Sequence, residues 1–173
     1  DNGQHLIAKF TSTTDRYPVV QGAHVAMELA RRAGLDVVSV GLTDAAGRRA
    51  LLVERFGRTA RPRRHMVSAL TILGLTTFPE GRYATYADRA DQMRARFVEP
   101  DAHLRELFAR VSKLVAVARQ SHLDNREARQ IVDAQVAVIE DHWDDVCDAA
   151  GLAGPPTATF RGVQFLNPHA LAT

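Results

Sequence analysis

Apolar positions alternate in the first third of the chain and recur every three or four residues in the rest, and the change of period falls near residue 56. Residues 4–10 alternate and predict a strand. Residues 20–33 predict a helix with Val25, Leu29 and Arg32 on one face, Ala26 and Ala30 beside them, and Gly34 ending it. Residues 36–42 predict a second strand, Ala46-Gly47 a hairpin turn, and residues 49–56 the returning strand.

Beyond residue 56 the pattern is helical. Ser68–Leu73 predicts a short helix, Thr76–Ala84 a loop around Pro79 and Gly81, and residues 86–97 another helix. Pro100 suits the first position of the next helix, whose stripe is Leu104, Leu107, Phe108, Val111, Val115 and Ala118. Asp124 is placed to cap a longer helix with Val132, Val136, Ile139, Trp143, Val146 and Ala150 on one side and Gly151 at its end. Pro155-Pro156 opens a short final segment. The order predicts an α+β fold, a small sheet with one helix (residues 1–56) followed by a mainly helical lobe (residues 57–173).

Composition narrows this further. At 173 residues, with 46% hydrophobic and 24% charged positions, the chain can bury a core and is not disordered as a whole. A net charge of +2 does not by itself call for nucleic acid. Cys147 stands alone, so no internal disulfide is available. No apolar run reaches the roughly 18 residues of a membrane helix, and no signal segment opens the chain. A soluble, cytoplasmic protein is expected, with further sequence upstream, since the chain opens on Asp1 rather than Met.

Six runs occur in a distinctive order: HLIAKF (5–10), AMELARRAGLDV (26–37), LLVERF (51–56) followed by Arg58, SALTILGL (68–75), YADRADQMR (86–94) and LRELFARV (104–111). Together they resemble the C-terminal kinase region of HipA-type serine/threonine kinases, the toxins of bacterial type II toxin–antitoxin pairs, and the likeness resumes near residue 113 and runs through the Trp143 helix. The resemblance implies a protein-kinase-like fold, ATP and magnesium as cofactors, and a HipB-like antitoxin as partner. Nucleic acid would be reached only through that partner. It also implies that Lys9 contacts nucleotide phosphate, and that the backbone of Glu54, Arg55 and Phe56 reads the adenine edge. A Lys on a strand is a fixed point charge suited to an anionic oxygen. Without the resemblance, a solvated Lys and an ordinary strand end would be the simpler readings.

The sequence departs from the family's pattern in three places. The helix Glu that steadies the Lys is expected four residues before Met27, where Ala23 stands; Glu28, five residues on, is turned by about 140°. Arg55-Phe56-Gly57-Arg58 replaces Arg-Phe-Asp-Arg. Most important, the Asn-Thr-Asp-x-His-x-x-Asn segment that supplies base and metal ligands is absent: Val111 leads directly into Ser112-Lys113-Leu114, as if residues were deleted near 111–112. Asp124-Asn125 reads as a helix cap and does not replace it. No catalytic residue and no metal ligand is therefore assigned. The expectation is a HipA-like kinase homologue without phosphotransferase activity as written, retaining a nucleotide-pocket remnant. The alternative is a working serine/threonine kinase whose catalytic segment is omitted from this sequence.

Other clusters weigh less. Arg55, Arg58, Arg61, Arg63 and Arg64 could contact an anionic partner, making the chain a basic-loop interaction module, although a solvated loop is favoured. Ser12, Thr13 and Thr14 could accept phosphate. His142 and Cys147 are spaced wrongly for zinc. Asp141, Asp144, Asp145 and Asp148 suit a solvated helix face better than a cation site.

Overall fold

The computed structural model describes residues 5–15, 17–55, 66–77, 79–111 and 121–166. Its elements are β1 (Leu6–Phe10), α1 (Val19–Arg32), β2 (Val40–Ala45), β3 (Arg48–Glu54), α2 (Ala69–Ile72), α3 (Tyr86–Arg96), α4 (Pro100–Val111), α5 (Asn125–Ala149) and α6 (Pro155–Phe160). A single 3-10 turn, Glu80–Tyr83, lies inside the expected 76–84 loop. The fold class is α+β: the described strands form one antiparallel sheet in the order β1-β3-β2, and the remaining elements are helical.

The sheet follows from the hairpin. Ala46 and Gly47 adopt φ of 52° and 71°, the paired left-handed conformation of a tight two-residue hairpin turn, and so fix β2 against β3. The register runs from Val40↔Val53 to Ala45↔Arg48, and on the other side of β3 from Leu6↔Glu54 to Phe10↔Ala50. The second strand is therefore later than expected, at Val40–Ala45 rather than 36–42. The reason is length: β3 ends at Glu54, whose N–H donates to Ser39 O at 2.9 Å, so Asp36–Val38 extend past the end of their partner strand.

Helix limits follow local chemistry. Ser68 Oγ accepts from Thr71 N–H at 3.1 Å. Thr85 and Asp88 cap α3 reciprocally, side chain to backbone in both directions. Asp124 accepts from Glu127 N–H at 2.7 Å, as its position before α5 predicts. Gly34 and Gly151 take φ of 80° and 66° just beyond α1 and α5, the left-handed exit that glycine allows at least cost.

Contacts divide the chain into two compact units. The first comprises Asp1–His65 and Gln135–Pro168, and so holds the sheet, α1, the later part of α5, and α6. Its core joins Val25 and Leu29 of α1 to Trp143, Val146, Cys147 and Ala150 of α5, with Leu152 and the half-buried Leu42, Ile139, Phe160 and Phe165 around them. Trp143 meets Phe165 edge-on, ring centroids 4.9 Å apart. Arg32, expected on the apolar face of α1, stays exposed and turns to Glu28.

The second unit comprises Met66–Ala134 and contains α2, α3, α4 and the start of α5. One cluster packs Ala90 and Met93 of α3 against Leu104 and Leu107 of α4. Another packs Phe108 against Leu123 and Ala128, with Ile131 and Val132 at its edge. Leu104 and Phe108 are fully buried, each worth about 1.5–3 kcal/mol of burial. The stripe expected on α4 is thus in place as far as Phe108; Val115 and Ala118 lie outside the described residues.

Candidate functional site

Directly opposed residues in an antiparallel sheet share a face. Lys9, Leu51 and Leu42 therefore form one row across the three strands. Leu42 packs on the α1–α5 core, so the Lys9 row belongs to the face that α1 covers. Lys9 itself is exposed, and no carboxylate among the described residues pairs with it.

The carboxylate nearest in sequence on α1 is committed elsewhere. Glu28 Oε1 lies 2.5 Å from Arg31 and 3.4 Å from Arg32. The hydrogen bond from Arg31 is the main cause that holds the Glu28 carboxyl below its usual range. Ala23, where the family's steadying Glu was expected, brings no charge. One turn before Glu28, burial pushes His24 below the usual imidazole value, and its Nδ1 is enclosed without a hydrogen-bond partner.

The strand end is occupied by the sheet itself. Glu54 N–H donates to Ser39 O at 2.9 Å and Arg55 N–H to His5 O at 2.8 Å. Glu54 stands three residues along β3 from the partner of Lys9, about 10 Å by strand rise. Lys9 and Glu54 thus sit on one small sheet, with Arg55 just past the end of β3. Phe56, Arg58, Arg61, Arg63 and Arg64 lie outside the described residues, as does the segment following Val111.

Among the described residues no group of three or more His, Cys, Asp or Glu side chains is placed to hold a metal ion. Asp141, Asp144, Asp145 and Asp148 are all exposed, a solvated face opposite buried Trp143, Val146 and Cys147. Burial is the main cause that raises the Cys147 thiol above its usual range. In the loop after β1, Ser12 Oγ and Thr14 Oγ1 are 2.8 Å apart, and Ser12 N–H donates to Asp15 at 2.8 Å.

One pair went unnoticed in the sequence. His122 Nε2 lies 2.7 Å from Asp91, with the His122 backbone at φ 58°. A separation of 31 residues leaves no periodic signal that could announce such a contact. No helix among the described residues is long and apolar enough to cross a membrane.

Neither a curated protein nor a solved structure matches this chain. The family described as the HipA-like C-terminal domain matches residues 1–126 of the 173, from the Lys9 strand to the start of α5. With most of its length so matched, including the sheet, α1 and the α2–α4 helices, the chain belongs to the HipA-like C-terminal domain family.

Proposed function

We propose that this protein is a degenerate HipA-like kinase homologue, with a nucleotide-pocket remnant at Lys9, Glu54, Arg55 and Phe56 and no phosphotransferase activity as written. One observation carries the reading. The helix that should precede the catalytic loop is folded, with Leu104, Leu107 and Phe108 buried, yet Val111 is followed in sequence by Ser112-Lys113-Leu114 and not by a base and an amide. Phosphoryl transfer depends on metal charge and alignment, so loss of the base and of both metal ligands costs many orders of magnitude in rate. The commitment of Glu28 to Arg31 and Arg32, and the engaged amides of Glu54 and Arg55, point the same way.

The test is a thermal melt with and without Mg-ATP, beside a radiolabel transfer assay. A competent site at a hundred times its Kd would gain about 2.7 kcal/mol, a rise of about 5–10 °C for a chain of this size. A shift under about 1 °C and no transferred label are expected. A large shift abolished by Lys9→Ala, or label passing to protein, would overturn the proposal.

A second reading is favoured by the family match itself: an active serine/threonine kinase of a toxin–antitoxin pair, using ATP and magnesium, whose catalytic segment belongs between residues 111 and 112. Sequencing the gene across residues 105–120 separates the two. A HipB-like antitoxin is the partner proposed under either reading, tested by co-purification. Salt-sensitive DNA binding by the chain alone, lost when Arg61, Arg63 and Arg64 become Ala, would instead favour the basic-loop module.

A further inference from the structure

We draw no further inference here: the strongest candidate, the groove beside α3 lined by Glu80, Tyr83, Asp88 and Asp91 in the second unit, carries none, because its carboxylates are exposed and already engaged, by Thr76 and Thr77, by Thr85 and by His122 in turn, and nothing in the structure shows what covers it.

Discussion

Ala46 holds a left-handed backbone, φ 52°, in the turn between β2 and β3. An L-residue with a Cβ pays about 1–2 kcal/mol there, while Asn tolerates the conformation through its short polar side chain. Ala46→Asn is therefore expected to stabilise the protein by about 1 kcal/mol, read as a higher urea midpoint with an unchanged slope. The turn was legible in the sequence because Ala-Gly interrupts two alternating runs; which of its residues would be strained was not, since alanine carries no turn signature. Lys9 shows the same division. Its strand could be read from the alternation, but its exposed position could not, since alternation does not say which edge strand the sheet leaves uncovered.

At the scale of elements, apolar period proved a dependable guide to existence and a poor guide to partners. The stripes on α1 and α5 were visible, and Val25, Leu29, Trp143, Val146 and Ala150 are indeed buried. That they bury against one another could not be read, because spacing along a helix says nothing of what faces it. The second strand was misplaced because Val37 and Val38 are good strand residues with no partner strand beside them among the described residues. Gly22 marks another contact invisible in sequence: a Cβ there would overlap the ring of Phe160. Gly22→Ala gains about 1 kcal/mol of helix propensity but overpacks at a cost of about 1–3 kcal/mol. Phe160 is held by the core and by Phe165, ring centroids 5.5 Å apart, so it has little freedom to retreat. A net loss of about 1–2 kcal/mol is expected, measured by equilibrium urea unfolding.

For the whole molecule, stability should depend on pH with a definite sign. Glu28, Glu80 and Asp88 are all held below their usual values, by the Arg31 hydrogen bond, by the Thr76 and Thr77 amides, and by the Thr85 hydroxyl and amide respectively. A carboxyl bound more weakly by protons in the folded state stabilises above its unfolded value and loses that contribution as pH falls through the folded one. Cys147 works in the opposite range: its raised value favours folding below the unfolded value of 9.0, and the contribution is lost as pH climbs beyond it. Urea midpoints measured from pH 3 to pH 10 should fall at both ends of the range, below about 4.5 and above about 9. Thr85→Ala should flatten the acid limb, because it removes the hydroxyl that holds Asp88. Family was legible in the order of the six runs and fold class in the order of predicted strands and helices.

Strand β1 is exposed along its whole length and lies at one side of the described sheet. His5 and Thr11 bond to β3, through Arg55 N–H to His5 O and Thr11 N–H to Arg49 O. By the alternation of an antiparallel ladder, the amides of Leu6, Ala8 and Phe10 then point away from it. Leu6, Ile7 and Phe10 remain about half exposed beside those amides. An open ribbon of this kind templates pairing with other chains, so concentrated protein should shed slowly growing, sheet-rich precipitate. Ala8→Pro deletes an outward donor without touching the β3 ladder, and light scattering should show that variant staying clear for longer at equal melting temperature.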